Sequence, residues 1–366
     1  MKVLFVFNHP APYKVQLFNE LSKYIDLTVI FERNKNKDRE KDFYSKNKYN
    51  FKSIFIKGIK LGNENMLSNG VTKHIKNNSY DLIIMNGYSN IPELKAIKYL
   101  KKHNKEYALY INGGIINHKE SKWKKNLKTK YISGAKFYFS PDERSNEYLV
   151  YYGADKSKIY NYPYATIYDH EVLDKKPSKE EKNILRKELN VTGDNIFVSC
   201  GQLIERKNYL KLVELWKDQP VTNTLLIIGS GKQKPQIEAY ISENKITNVK
   251  LLGYLNRDEI FKYYRISDAF IFPSKEDIYG HVVNEALSQG LPVISGNNVN
   301  SALHLEKNEA KELILEDIDS KSLNNAINYV LSHDLFKEST DIARENTYEK
   351  MVRNHLDIIK EAAKWI

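Results

Sequence analysis

Three carboxylates, Glu276, Asp277 and Glu285, lie close together in the segment SKEDIYGHVVNEALSQG. Asp277 precedes the predicted start of a helix, and Glu285 lies about one turn inside it. Because an ionised carboxylate only accepts hydrogen bonds, Glu285 suits the paired hydroxyls of a ribose and Asp277 suits other hydroxyls. This set fits a sugar nucleotide better than a metal ion. The alternative is that the helix dipole alone favours an acid in the first turn.

The start of this helix is itself a candidate binding site. Gly290 followed by Pro292 predicts the end of the helix, and counting back places its start near Gly280 or His281. The N–H groups of residues 280–283 then lack partners inside the helix. Because Gly280 allows close approach, we expect the helix start to bind a phosphate or a carboxylate.

The spacing of the acids resembles a known signature. Seven residues separate Asp277 from Glu285, and DIYGHVVNEA is followed by Gly290 and the pair Pro-Val. The segment is similar to the signature of glycosyltransferase family 4, which has the GT-B fold. Asp277 stands where the family has its first Glu and has the shorter reach towards the donor sugar. Glu276 is one residue out of register and is expected to face solvent. We expect donor contacts at Tyr279, Gly280, His281, Val282, Val283 and Glu285.

A basic segment agrees with this resemblance. SCGQLIERKNYLKLVELW follows a predicted strand and opens a helix, like the family's element for the donor diphosphate. Lys207 matches the family's lysine. Gln202 stands where the family has a basic residue, and Arg206 supplies the second charge. The resemblance implies that the two cations stabilise the departing nucleotide without a metal. The alternative is a solvated basic helix start, but cations there oppose the helix dipole.

Two further turns follow predicted strands in the second half. Gly229 and Gly231 form a G-x-G turn between a predicted strand and a helix. Because such turns are common in folds of this class, the motif supports the place of the turn in the fold more than a chemical role. The resemblance places Gly253, Tyr254 and Leu255 beside the base. It is carried by residues 197–295 and fades beyond Asn300.

Alternating apolar and amphipathic stretches predict the elements that position these residues. The pattern is typical of parallel sheets flanked by helices, so the fold class is α/β. The resemblance implies GT-B, with two Rossmann-like doubly wound domains facing a cleft. We expect an acceptor-binding domain at 1–165, a polar linker region at 166–194 and a donor-binding domain at 195–345. A C-terminal helix at 346–366 is expected to pack on either domain and could cross back to the first.

The first half offers weaker candidates. FNHPAPYKVQLFNEL resembles a first-strand loop in relatives that end in PYR before a helix, so the acceptor side is expected at Asn8, Pro12 and Tyr13. Gly113 and Gly114 permit a second loop to approach a ligand. Many relatives use a histidine in this region, and His118 is the candidate for a catalytic role here. The alternative is an exposed loop histidine.

Charge is divided unevenly along the chain. Residues 1–165 hold 30 Lys+Arg against 15 Asp+Glu, whereas the remainder holds 27 against 31. The first half is therefore expected to meet an anionic partner or surface. Lysines surround Trp123 and Leu127, which are four residues apart, as suits the surface of an anionic membrane. The alternative is a solvated lysine face. No recognition motif for nucleic acid accompanies the charge.

Cys200, the single cysteine, excludes an internal disulfide framework and favours a reducing compartment. The first residues read as a strand and not as a signal peptide. We expect a cytoplasmic protein, on the inner face of the membrane if it binds there.

The resemblance implies a retaining glycosyltransferase of surface-polysaccharide type that needs no metal or other cofactor. It would move a hexose or N-acetylhexosamine from a nucleotide sugar to a glycan or a lipid-diphosphate-linked acceptor. UDP is the expected nucleotide because it is the most frequent one in the family. The alternatives are a nucleotide-sugar epimerase on the same scaffold and a non-catalytic GT-B partner subunit.

Overall fold

The computed structural model describes residues 1–34, 44, 48–61, 65–306 and 312–364. The chain divides into two compact units. The first comprises Met1–Pro163 with Glu349–Ile366, and the second comprises Tyr164–Tyr348. Each unit is built around its own parallel sheet.

The first sheet has seven parallel strands in the order β3-β2-β1-β6-β7-β8-β9. The order reverses next to β1, so the sheet is doubly wound and the loops at its carboxyl end diverge there. A separate antiparallel pair joins β4 to β5. The strands are β1 Lys2–Phe7, β2 Asp26–Phe31, β3 Lys52–Phe55, β4 Ile59–Leu61, β5 Asn65–Leu67, β6 Leu82–Asn86, β7 Ala108–Tyr110, β8 Phe137–Ser140 and β9 Ile159–Asn161.

Helices flank this sheet because its central strands are buried on both faces. They are α1 Pro12–Leu21, α2 Gly70–Asn77, α3 Ile91–Lys102, α4 Lys122–Ile132 and α5 Glu143–Tyr151. The C-terminal helix, Tyr348–Ala363, also packs on this unit. Its His355 ring lies 4.6 Å from that of Tyr162 and 5.6 Å from that of Phe139. The helix therefore crosses back to the first domain.

The second sheet has six parallel strands in the order β12-β11-β10-β13-β14-β15 and reverses next to β10. Its strands are β10 Asn195–Cys200, β11 Asn223–Ile228, β12 Val249–Gly253, β13 Ala269–Phe272, β14 Val293–Gly296 and β15 Ile314–Leu315. The helices of this unit are α6 Lys179–Glu188, α7 Tyr209–Trp216, α8 Lys234–Glu243, α9 Arg257–Ile266, α10 His281–Ser288, α11 Leu303–Glu306, α12 Ser320–Ser332 and α13 Phe336–Glu345, and the C-terminal helix is α14.

The segment expected as a linker, residues 166–194, falls within the second unit. Ile167, Val172 and Val191 are buried in the core of the unit. Between them, α6 is a surface helix without a fully buried residue. The polar composition therefore reflects a solvated helix, while a few separated apolar residues anchor the segment.

Cys200 ends β10 and is buried. Burial raises the pKa of its thiol to about 12, so the side chain stays protonated and acts as a small core residue. Among the described residues, none of the helices combines the length and the apolar character that a bilayer crossing demands.

Candidate active site

Two loops of the second unit run side by side at the carboxyl end of the sheet. They follow β10 and β13, which are neighbouring parallel strands, so their carboxyl ends are adjacent. Lys275 donates its backbone N–H to the Arg206 carbonyl at 2.9 Å, and the Ser274 hydroxyl donates to the same carbonyl at 3.3 Å. These bonds hold the loop after β10, which carries Arg206, against the loop after β13, which carries Lys275.

Lys207 forms an ion pair with Asp277 across the two loops, through a hydrogen bond from Nζ to Oδ2. Only 9% of Lys207 is exposed, and its Nζ lies 4.4 Å from the centre of the Phe272 ring. Burial lowers the pKa of Lys207, and the Asp277 charge opposes that shift. The Asp277 carboxylate therefore favours the charged form of Lys207 against the effect of burial.

Arg206 is more exposed and lies at the edge of this pair. Its Nη1 is 3.8 Å from Asp277 Oδ2 and donates to the Glu276 carbonyl at 2.7 Å. The Glu276 residue itself is exposed, in agreement with the solvent-side position expected from the spacing. Arg206, Lys207 and Asp277 are thus brought together in one place.

The backbone of Asp277 is fixed by the loop after β14. Its N–H donates to the Asn298 carbonyl at 2.9 Å, and its own carbonyl accepts from the Asn300 N–H at 3.3 Å. The carboxylate also accepts from the Tyr279 N–H at 3.4 Å. Three loops of the sheet therefore determine where this carboxylate lies.

Helix α10 begins at His281, with Gly280 as its N-cap at φ 93°, a left-handed conformation that favours glycine. The Ser301 hydroxyl donates to the Gly280 carbonyl at 3.0 Å. The same carbonyl accepts the N–H of Val283 at 3.0 Å. Val283 was expected to offer a free N–H, and that expectation is wrong because the first turn closes tightly. The Val283 side chain is buried, whereas that of Val282 is half-buried.

Tyr279 and His281 belong to an aromatic cluster with Tyr164. The ring centres lie 4.9 Å apart for Tyr164 and Tyr279, and 4.4 Å apart for Tyr164 and His281. The Tyr279 side chain is buried, so its ring supports the helix start from within. Tyr164 was not among the residues predicted from the sequence.

Glu285 lies one turn inside α10 and accepts a hydrogen bond from the Thr166 hydroxyl at 3.3 Å. Burial raises the pKa of Glu285, while the nearby charge of Arg257 and the bond from Thr166 oppose the shift. Arg257 donates to the Thr166 carbonyl and to the Glu171 carboxylate, both at 2.9 Å. The carboxylate of Glu285 therefore stands in a network that local spacing does not reveal.

The glycines after β11 and β12 have different surroundings. A Cβ on Gly229 would lie 1.9 Å from the Gly201 carbonyl oxygen, so glycine at this position permits the close approach of two backbone segments. Gly253, at φ +75°, has no described atom within 4 Å of the position where a Cβ would stand. Tyr254 beside it is exposed and Leu255 is half-buried. Of the two predicted glycines, Gly253 is the one that faces open space.

In the first unit, Asn8 follows β1, and Pro12 is the first residue of α1. Asn8 accepts the His9 N–H on its side-chain oxygen at 2.8 Å. Tyr13 is half-buried, and its ring centre lies 5.8 Å from Lys14 Nζ. The Asn8 side chain therefore bonds within its own loop, and Tyr13 lies beside Lys14 in the first turn of α1.

Lys14 is a buried lysine that the sequence reasoning missed. Its Nζ donates to the Tyr110 hydroxyl at 2.8 Å, and the same hydroxyl lies 3.3 Å from His355 Nε2. Burial lowers the pKa of Lys14 well below its usual range and lowers that of His355 to about 3. The available signal was the basic residue that ends the P-Y-K run. Tyr110 and His355 carry no such local signal.

The second loop of this unit follows β7. A Cβ on Gly114 would lie 2.5 Å from the Tyr148 ring, so this glycine makes room for a core aromatic residue. Close packing, and not a ligand, thus already accounts for one of the two glycines, while Gly113 adopts φ 140°. His118 is exposed, with its ring 5.7 Å from that of Tyr151.

The described residues contain no group of three or more His, Cys, Asp or Glu side chains that could hold a metal ion. The positive groups of the second-unit site are Arg206 and Lys207, beside Asp277 and the start of α10. This arrangement can bind an anion next to a group that accepts hydrogen bonds from hydroxyls.

Comparison with known proteins gives matches in sequence. The family described as glycosyl transferases group 1 matches residues 180–350. The alpha-monoglucosyldiacylglycerol synthase of Acholeplasma laidlawii is 33% identical over 97 residues, covering 26% of this chain and 23% of the relative. The O-antigen biosynthesis glycosyltransferase WclY of Escherichia coli is 30% identical over 155 residues, covering 42% of this chain and 40% of the relative. The chain thus spans less than half the length of these two relatives.

Similarity in structure extends over the whole chain. The crystal structure of Anabaena Alr3699/HepE in complex with UDP superposes with a TM-score of 0.78, at 15% identity and covering 100% of both chains. At this identity the similarity concerns the fold, which is GT-B as the sequence predicts.

Proposed function

We propose that this chain is a retaining glycosyltransferase, because its residues 180–350 match the family described as glycosyl transferases group 1. It moves a hexose or an N-acetylhexosamine from a nucleotide sugar to a glycan or a lipid-linked acceptor in cell-surface polysaccharide synthesis. The observation that carries this proposal is the convergence of Arg206, Lys207 and Asp277 beside the glycine-capped start of α10.

The donor diphosphate is assigned to Arg206, Lys207 and the first turn of α10. Two cations and a helix start stabilise the negative charge that builds up on the leaving nucleotide. In the structure Lys207 donates to Asp277. A diphosphate would offer Lys207 a second acceptor and leave more of the Asp277 carboxylate to accept from hydroxyls of the donor sugar. No protein nucleophile is needed if the acceptor hydroxyl attacks on the face from which the diphosphate leaves.

The nucleoside is assigned to Glu285 and to the turn after β12. An ionised carboxylate with two oxygens can accept from two neighbouring ribose hydroxyls. Gly253 leaves open space where a base can approach the backbone. UDP is favoured as the nucleotide because the structural neighbour HepE was solved with UDP and with UDP-glucose.

The acceptor is assigned to the first unit. One relative is named as a synthase of the glycolipid galactosylglucosyldiacylglycerol, and another as a transferase that acts on a sugar-diphospho-undecaprenol. Helix α4 carries Trp123 and Leu127 exposed among its lysines. We propose that this face rests on an anionic membrane surface, so that the enzyme reaches a lipid-linked acceptor from the cytoplasmic side.

The proposal is tested by donor binding and by transfer. A donor at ~100 times its dissociation constant stabilises the folded protein by ~2.7 kcal/mol, so a panel of nucleotides and nucleotide sugars should give a thermal shift with UDP compounds. Glu285→Ala should abolish transfer while the protein stays folded, and Glu276→Ala, at an exposed neighbouring acid, should retain it.

Three outcomes would overturn the proposal. Near-normal transfer by Glu285→Ala would show that the nucleotide does not bind at α10. A wild-type protein that converts the nucleotide sugar to an isomer without an acceptor would be an epimerase, and one that binds UDP but transfers no sugar to any acceptor would be a partner subunit.

A further inference from the structure

Arg257, the first residue of α9, is joined to Glu285 through Thr166. The guanidinium donates from Nη2 to the Thr166 carbonyl and to Glu171 Oε2, each at 2.9 Å. The Thr166 hydroxyl donates to Glu285 Oε1 at 3.3 Å. One residue thus accepts from Arg257 with its backbone and donates to Glu285 with its side chain.

The anchor of Arg257 is itself fixed. Glu171 Oε2 accepts the Tyr168 N–H at 2.7 Å, and the Glu171 carbonyl accepts from the Gln289 side chain at 2.9 Å. Gln289 is the C-cap of α10, the helix that carries Glu285. The guanidinium is therefore tied to the same helix by a second route.

Helix formation does not explain an arginine at this place. A cation in the first turn opposes the helix dipole, and the N-terminal role in α9 is already filled by the Asn256 cap and by Asp258 and Glu259. The Arg257 Nε–H is also buried without an acceptor in the part of the chain that the structure describes. The hydrogen bonds to Thr166 and Glu171 and the Phe261 ring, whose centre lies 5.0 Å from the guanidinium carbon, offset both costs.

The neighbour on which this charge acts is Glu285. Burial raises the pKa of Glu285, and the like charge of Glu171 adds to this rise, whereas Arg257 is the largest influence in the opposite direction, ahead of the Thr166 hydrogen bond. Burial also raises the pKa of the Cys200 thiol and the Tyr264 hydroxyl, which lie near the same carboxylate. A protonated carboxyl would turn one of its oxygens into a donor and lose the ability to accept from two hydroxyls at once. Whatever keeps Glu285 ionised therefore keeps the ribose site usable.

We propose that Arg257 is a positioning residue for the nucleotide donor: tied to Thr166 and Glu171, it holds the Glu285 carboxylate ionised and oriented for two adjacent hydroxyls. This inference rests on the proposed function, in which Glu285 binds the ribose. Arg257 acts through Glu285 and needs no contact with the donor itself.

The test compares Arg257→Gln with wild type in two measurements. The Glu285 carboxyl is titrated by carbon-13 NMR, with its signal assigned by its absence in Glu285→Gln, and UDP affinity is measured by calorimetry from pH 5 to 8. We expect a raised Glu285 pKa in Arg257→Gln and a loss of UDP affinity that begins at higher pH. At a pH below the pKa of Glu285, each unit by which that pKa rises lowers the ionised fraction of the carboxyl about tenfold.

Arg344→Gln is the matched control. Arg344 also bonds one backbone carbonyl and one carboxylate, those of Leu173 and Asp174, and its side chain is 39% exposed against 36% for Arg257. We expect both curves of this variant to follow wild type. Arg257→Lys keeps the charge and should restore most of the wild-type pH dependence. If Arg257→Gln does not fold, Thr166→Val is measured in its place, because it removes only the hydroxyl donor.

The outcomes separate the inference from the function on which it rests. An unchanged Glu285 pKa in Arg257→Gln overturns the inference whatever UDP does. If that variant does not fold, an unchanged Glu285 pKa in Thr166→Val overturns the link through Thr166 on which the inference depends. A raised pKa in a protein whose wild type binds no UDP at any pH overturns the proposed function instead.

Discussion

Lys207 and Asp277, which are 70 positions apart, form a hydrogen-bonded ion pair at the carboxyl ends of β10 and β13. Both side chains are largely buried, at 11% and 16% exposed. Removing one partner of such a pair leaves the other charge without compensation inside the fold. The pair thus links the stability of the second unit to the groups assigned to the donor.

Asp277→Ala should lower the free energy of unfolding by about 3 kcal/mol, because it leaves Lys207 buried without its carboxylate. Urea unfolding followed by circular dichroism measures this loss. Glu276→Ala removes the adjacent, exposed acid and should change stability by less than about 0.5 kcal/mol. Equal midpoints for the two variants would contradict the buried ion pair.

Burial of His355 predicts a pH dependence of stability. Its pKa is about 3 in the folded protein, against an ordinary 6.5, so the unfolded chain takes up the proton first. The free energy of unfolding should therefore fall as pH drops from about 6.5 towards 3, by about 1.4 kcal/mol per pH unit from this group. His355→Gln should lose that part of the slope in urea unfolding at a series of pH values. His103→Gln, at an exposed histidine of the same unit, should keep it; a common slope for wild type and both variants would argue against the buried histidine.

Transfer should not depend on a bound metal, because Arg206 and Lys207 supply the positive charge assigned to the leaving diphosphate. Activity should be the same after dialysis against a chelator and should not rise when manganese or magnesium is returned. The prediction fails if turnover disappears in the chelator and one of the two metals restores it.

The face of α4 should bind anionic vesicles. Trp123 and Leu127 are 64% and 45% exposed, and burying a large apolar side chain stabilises association by about 1.5–3 kcal/mol. Replacing both by Ala should weaken binding to anionic vesicles at least tenfold in a sedimentation assay, and added salt should weaken wild-type binding. Ile184→Ala removes a side chain of similar exposure, 62%, from α6 of the second unit and should have no effect. Equal vesicle binding by the double variant and by wild type would exclude this face.

The two glycines after β11 and β12 should respond differently to substitution. Gly253→Ala meets open space and should cost about 1 kcal/mol for its left-handed backbone, while weakening UDP binding. Gly229→Ala places a Cβ 1.9 Å from the Gly201 oxygen and should cost about 3 kcal/mol or more. Thermal unfolding with and without UDP separates the two effects. If Gly253→Ala binds UDP as wild type does, the base does not lie against this turn.

The sequence alone determined the α/β class, because strand and helix patterns are local, and the resemblance carried by residues 197–295 implied the GT-B fold. Strands such as Lys2–Phe7, Asp26–Phe31 and Asn195–Cys200 coincide with the apolar runs KVLFVF, DLTVIF and NIFVSC of the sequence. The start of α10 after Gly280 also follows from local signals. The short strands β3, β9 and β15 were not predicted, because they lie at sheet edges and lack long apolar runs.

Only the tertiary structure decided which side chains meet. The ion pair of Lys207 with Asp277, the link from Arg257 through Thr166 to Glu285, and the contact of Lys14 with Tyr110 each join residues 70 to 119 positions apart. Sequence periodicity reports the face of one element, whereas a parallel sheet brings together the carboxyl ends of strands that are distant in the chain. The burial that shifts the pKa of Lys207, Glu285 and His355 arises from that packing, so no spacing in the sequence could reveal it.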